Sequence, residues 1–142
     1  MKLSNEYKSI EITIDSYEFP YHETNEFHDN NWLNVKAICE DEVLVEDGVD
    51  ACLLTSELQD VLKGLNKALI GETYRSSFLE PTFFMEVKPT QNDIQVMISF
   101  HLPNRHLFDV KTVISKEALN EMIEEVKHMV SQFPIRQKQL FN

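Results

Sequence analysis

Hydrophobic positions along this chain repeat with two periods, and the change from one to the other marks the predicted elements. Ile10, Ile12 and Ile14 alternate with Glu11, Thr13 and Asp15. That pattern predicts a half-buried strand over Ser9–Tyr17, ended by Phe19-Pro20. Tyr21–Asn31 is polar, acidic and turn-rich and reads as a loop. Leu33, Val35, Ala37 and Cys39 then alternate with Trp32, Asn34, Lys36 and Ile38 in a second strand. Glu40-Asp41-Glu42 is a charged turn and Val43–Val45 a short return strand. Glu46-Asp47-Gly48 reads as a second turn or bulge before Val49–Leu54.

The period then lengthens. Leu58, Val61, Leu62, Leu65 and Leu69 form one stripe of a helix over about residues 56–70. Ser56 and Gln59 are spaced as a capping box, with Thr55 as the rival N-cap. Gly71 stands where a glycine stops a helix. Phe78 and Leu79 are expected to be buried in the irregular segment that follows, and Glu80, before Pro81, is biased to an extended backbone. Three more alternating strands follow, Thr82–Lys88, Ile94–Leu102 and His106–Ile114, joined by turns short enough for antiparallel neighbours. Ser115 caps a second helix over about 116–132, with Leu119, Met122, Ile123, Val126, Met129, Val130 and Phe133 as its stripe and Pro134 just beyond it.

Each strand therefore has one wet face, which suits antiparallel meanders rather than a doubly wound parallel sheet. The expected fold is α+β: one domain over 1–142, with an approximately six-stranded, mainly antiparallel sheet and both helices on one face. At 142 residues a chain buries roughly 68–70% of its unfolded surface and folds without a metal or a disulfide. Cys39 and Cys52 are expected to be free, buried thiols, and two cysteines make no zinc site. No stretch approaches the ~18 apolar residues of a membrane helix, and MKLSNEYKSIEI lacks a signal-peptide core. A cytoplasmic location is the expectation.

Charge adds more. The net charge is −11, and residues 1–60 carry 15 acids against three bases while residues 61–142 carry nine against ten. An acidic half of this kind argues against nucleic-acid binding, which needs a basic footprint. It permits a basic partner, and it equally serves solubility.

Catalytic patterns are scarce. The chain has three glycines, no G-x-S-x-G, no phosphate-cradling loop and no H-E-x-x-H. His22 and His28, among Glu23, Glu26 and Asp29, are the best metal candidates, but a site needs its ligands held rigidly and the segment reads as a polar loop with two solvated histidines. His101 and His106 flank a turn, and His128 follows Glu124 by four residues on a wet helix face. Trp32 lies on the sheet face opposite the apolar set of its own strand. It reads either as an interface anchor or as a satellite core under the preceding loop.

Asn30-Asn31-Trp32-Leu33-Asn34-Val35, Cys52-Leu53-Leu54-Thr55-Ser56-Glu57-Leu58, Phe78-Leu79-Glu80-Pro81 and Phe133-Pro134-Ile135-Arg136 occur in that order. Together, over roughly residues 8–136, they resemble the small bacterial immunity proteins of the WapI type, which are encoded beside wall-associated WapA-type polymorphic toxins. The resemblance implies a binder and not an enzyme, with no cofactor, whose partner is the C-terminal domain of a cognate toxin, often an RNA-acting nuclease. The motif residues read as structural, so the resemblance assigns no site. Physics places the toxin contact on the densest acid: Glu40, Asp41, Glu42, Glu46, Asp47 and Asp50, and secondly Glu23, Glu26 and Asp29, with Trp32 or Tyr21 as an aromatic anchor. A regulatory domain for another basic partner is the alternative, and a small metal-dependent hydrolase a more distant one.

Overall fold

The computed structural model describes residues 1–19, 30–103 and 106–136. Its strands are β1 (Lys2–Ser4), β2 (Ser9–Tyr17), β3 (Trp32–Glu40), β4 (Val45–Leu54), β5 (Tyr74–Arg75), β6 (Phe83–Pro89), β7 (Ile94–His101) and β8 (Leu107–Ile114). Helix α1 (Thr55–Leu69) follows β4 and helix α2 (Lys116–Gln132) follows β8. The fold is α+β, but the strands form two four-stranded antiparallel meanders, β1-β2-β3-β4 and β5-β6-β7-β8, and not one six-stranded sheet. Nor do the helices share one face of a single sheet: α1 packs on α2 and also reaches β4, β5 and β6, while β1 and β2 meet β8. One core joins them, with Ile10, Ile12, Leu33 and Val35 from the first sheet and Met85, Val96, Ile98 and Val110 from the second, closed by Leu58, Leu65, Leu119 and Val126.

The inward sets follow the alternation. Leu33, Val35, Ala37 and Cys39 are buried while Trp32, Asn34, Lys36 and Ile38 are half-buried. The largest local departure is at Glu46-Asp47-Gly48, which is continuous strand within β4. A Cβ at Gly48 would lie 3.1 Å from Pro103 and 3.4 Å from Leu102 and Phe100. This glycine marks a close approach between the two sheets rather than a turn. The register slips instead between Leu33/Leu53 and Asn34/Ala51, and again at Asp15 between Ile14 and Ser16. β1 and β5 are two additional short strands, and Leu79 is exposed whereas Phe78 stacks on Phe83.

Helix α1 starts one residue earlier than its sequence pattern suggests. Its N-cap is Leu54, and the Glu57 carboxylate accepts the Leu54 N–H at 2.9 Å. That bond is the backward half of a capping box, so the Ser56/Gln59 frame is corrected by two residues. Gly71 ends the helix at φ +94°, with its N–H on the Ala68 carbonyl and the Glu72 N–H on the Lys67 carbonyl, a Schellman stop. In α2, Ser115 accepts the Ala118 N–H at 3.0 Å, as its position predicts. On its wet face Glu124 pairs with Lys127 at 3.0 Å rather than with His128.

Gly64 lets Tyr74 lie flat against α1: a Cβ there would sit 2.1 Å from the Tyr74 ring. Alanine gains about 1 kcal/mol over glycine in a helix. The collision outweighs that gain, so Gly64→Ala is expected to destabilise the protein by about 1–3 kcal/mol. Urea unfolding checks the sign, and adding Tyr74→Ala must recover part of the loss in a double-mutant cycle.

Cys39 and Cys52 are free and buried. Burial first, then Glu46, pushes the Cys39 thiol up to about 11; burial first, then Asp50 and Glu57, pushes Cys52 up to about 12. The neutral thiols therefore favour the folded state, fully below the ordinary value near 9, and this contribution is lost as pH rises above it. At pH 10 the two unfolded thiols are ionised and the folded ones are not, which lowers stability by about 3 kcal/mol. A double Cys39→Ala, Cys52→Ala variant is expected to show a shallower alkaline stability slope, whatever its absolute stability.

Candidate functional site

The surface that matters is built by two neighbouring turns. In the β3–β4 turn, the Asp41 carboxylate accepts the Val43 and Leu44 N–H groups at 2.9 and 2.8 Å, and the Asp41 N–H donates to the Leu44 carbonyl at 2.9 Å. Those N–H groups, Val43's first, hold the Asp41 carboxyl below its ordinary value. The β1–β2 turn repeats the arrangement with an amide: the Asn5 Oδ1 accepts the Tyr7 and Lys8 N–H groups, both at 2.9 Å, and its own N–H donates to the Lys8 carbonyl. Such side-chain-closed turns need no glycine. A groove of about 240 Å³ separates the two, bordered by Tyr7, Lys8, Glu40, Asp41 and Glu42.

Six carboxylates lie within Glu40–Asp50. Glu40, Glu42, Asp47 and Asp50 are exposed, and Asp41 and Glu46 half-buried. β4 divides them. Glu46 and Asp50 pair with Cys39 and Val35 on the core-side face, and Asp47 pairs with Ile38 on the outer face. Asp50 is tied down, accepting the Thr82 hydroxyl at 2.6 Å.

Between the acids stand apolar side chains in the open: Val43 is 93% exposed, Leu44 54%, Val45 65% and Val49 53%, with Tyr7 at 62% nearby. Sequence reasoning missed these five. The available signal was a Val-Leu-Val run held inside an acidic turn, where a solvated loop would carry polar residues. Exposed apolar side chains gathered on neighbouring turns, rimmed by acids, mark a contact surface.

Not every sequence-predicted residue converges here. Trp32 starts β3, the strand that Glu40 ends, so roughly 26 Å of extended chain separates them. It is half-buried on the outer face opposite Leu54. Glu23, Glu26 and Asp29, together with Tyr21, His22 and His28, lie outside the described residues. Among the described residues no three His, Cys, Asp or Glu side chains cluster as a metal site, and no helix is long and apolar enough to cross a membrane.

The four sequence motifs meet elsewhere, in a polar joint. Asn31 accepts the Thr55 hydroxyl at 2.7 Å and the Arg136 N–H at 2.8 Å, and donates to the Arg136 carbonyl at 2.9 Å. Glu57 accepts the Leu54 N–H at 2.9 Å and the Leu79 N–H at 2.8 Å. The Tyr17 hydroxyl donates to the Pro134 carbonyl at 2.6 Å, its ring meets Phe133 edge-on, and the Arg136 guanidinium lies 3.4 Å above it. Burial raises the Tyr17 hydroxyl above its ordinary value, against the opposing charge of Arg136. These residues fasten the start of β3, the start of α1, the segment before β6 and the end of α2. Their work is structural.

The family model described as immunity protein WapI-like matches residues 2–134. No curated protein matches. Two solved structures share the fold: that of WHY3 from Arabidopsis thaliana (13% identity, 94% of this chain and 86% of that one, TM-score 0.53) and that of the plant transcriptional regulator PBF-2 (10%, 94% and 80%, 0.53). At these identities the likeness is one of fold alone.

Proposed function

We propose, on the premise that the chain belongs to the immunity protein WapI-like family, that it neutralises the C-terminal domain of a WapA-type wall-associated toxin by covering a basic surface of that domain with the β3–β4 hairpin. Family membership brings a toxin-immunity role and a cognate toxin as partner, and proteins of such families generally act by binding and not by catalysis. The cytoplasm is where the encounter would take place. The observation that carries the mode is the hairpin itself, six carboxylates around an exposed Val43-Leu44-Val45 tip.

A nuclease groove is basic because it binds phosphate, and an acidic hairpin matches it as a polyanion does. Charge steers the approach, and the apolar tip holds the complex once water is excluded. Burying Val43, 93% exposed, contributes roughly 1.5–3 kcal/mol, and Leu44, 54% exposed, about half as much. The transcriptional role named for one structural neighbour is not carried over, since residues 1–60 hold 15 acids against three bases and repel phosphate.

The direct test is co-expression with the C-terminal domain of the cognate toxin, which the family reading expects to be a large secreted repeat protein encoded directly upstream. Survival of the cells is expected. Death as rapid as without this protein would end the reading.

A further inference from the structure

The open edge of β4 offers more than charge, and the geometry points to it as the place where an extended, basic segment of the toxin adds as a fifth strand to the first sheet. This rests on the toxin-binding reading above and specifies how the contact is made.

β4 is the last strand in the order β1-β2-β3-β4, and among the described residues no strand pairs with its other side. Its parity follows from the turn. Asp41 donates to Leu44, and hydrogen-bonded and non-bonded pairs alternate along an antiparallel ladder. Cys39–Glu46, Ala37–Gly48 and Val35–Asp50 are therefore the bonded pairs, and Glu40–Val45, Ile38–Asp47 and Lys36–Val49 the others. The N–H and C=O groups of Val45, Asp47 and Val49 consequently point away from β3, to the open side.

Edge strands are ordinarily blunted by a proline, a lysine, shortness or a covering loop. β4 is ten residues long, carries neither proline nor lysine, and exposes Val45 and Val49. What guards it is negative charge. Two copies of this chain pairing edge to edge would bring Glu46, Asp47 and Asp50 of each against the other's, and like charges across a ladder repel. A basic strand meets the same carboxylates favourably. Beside the edge a groove of about 330 Å³, with Val49, Phe100, Leu102 and Pro103 as its apolar wall and Asp50, Thr82 and His101 as its polar one, gives alternate side chains of the incoming strand a seat. Backbone bonds supply the affinity in strand addition, and the pockets supply the specificity.

Amide hydrogen exchange of the full chain tests this, alone and with the purified C-terminal domain of the toxin against which co-expression shows protection. The amides of Val45, Asp47 and Val49 are expected to slow at least tenfold in the complex, while those of Glu46, Gly48 and Asp50, already bonded to β3, change little. Val49→Pro removes one outward N–H at a position where an edge strand tolerates proline, and is expected to weaken binding at least tenfold with the melting temperature nearly kept. A complex that forms with the three outward amides exchanging as in the free chain overturns strand addition and leaves toxin binding intact. Protection of the same amides in the free chain that grows with its concentration assigns the edge to a second copy and also overturns the proposal. Absence of any complex removes the toxin-binding reading itself, and strand addition with it.

Discussion

Reversing Glu40, Glu42, Glu46 and Asp47 to lysine, with Asp41→Asn, is expected to slow association with the toxin domain by roughly 10- to 100-fold at low ionic strength. Asp41 is treated differently because its carboxylate closes the turn through Val43 and Leu44. Asparagine does the same work at Asn5, two N–H groups on one Oδ1 at 2.9 Å, so the substitution removes charge and keeps the turn. The dissociation rate should change far less, because rim charges act mainly on encounter. The defect should also shrink as salt rises, since exposed charges more than about 8 Å apart are screened at physiological ionic strength. Stopped-flow association across a salt series makes the measurement. Equal on-rates for the variant and the natural chain at low salt would move the contact away from the hairpin.

The largest stability effect is expected at Glu57. This carboxylate is only 7% exposed and accepts two backbone N–H groups, from Leu54 at the start of α1 and from Leu79 before β6. Glu57→Ala leaves both donors without the acceptor that now serves them. Each hydrogen bond to a charged group is worth about 1.5–3 kcal/mol, so a loss of about 3–5 kcal/mol is expected, a large share of the stability of a single domain. Glu57→Gln keeps one acceptor oxygen and is expected to lose about half as much. Chemical denaturation of the three proteins checks the ranking. A glutamine variant as damaged as the alanine one would show that charge, and not the acceptor geometry, holds the joint. The hairpin lies at the far end of the first sheet, so toxin binding at a temperature where Glu57→Gln remains folded should be unchanged.

The two predictions draw on different parts of what the chain makes legible. The capping role of Glu57 is not legible locally, because Ser56 and Gln59 offer the same spacing two residues on. Only the long-range bond to Leu79, 22 residues away, singles out Glu57. The bonds between Asn31 and Arg136 span 105 residues, and no spacing rule reaches so far. The acid of the hairpin is legible as composition, but its apolar tip is not, since the Val43–Val45 pattern reads as a short return strand.

What the sequence determined by itself is both helices, five of the eight strands and the faces they present, while β1, β5 and the unbroken run of β4 are not legible in it. Alternation in β2, β3, β6, β7 and β8 and the stripes of both helices are local patterns, and burial largely follows them, with Ser99 buried out of turn and Ile14 and Ile114 only half-buried. It also determined the acidic half, whose described residues run through the first sheet to the beginning of α1. The tertiary structure alone decided how the strands divide. Pairing is a non-local choice, and the chain leaves β4 directly into α1, so β5 begins a second sheet rather than extending the first. It also decided that Gly48 is strand, because only the approach of Leu102 and Pro103 from the other sheet demands the missing side chain. With β4 unbroken and last in its sheet, the same carboxylates that the composition announced stand along an open edge.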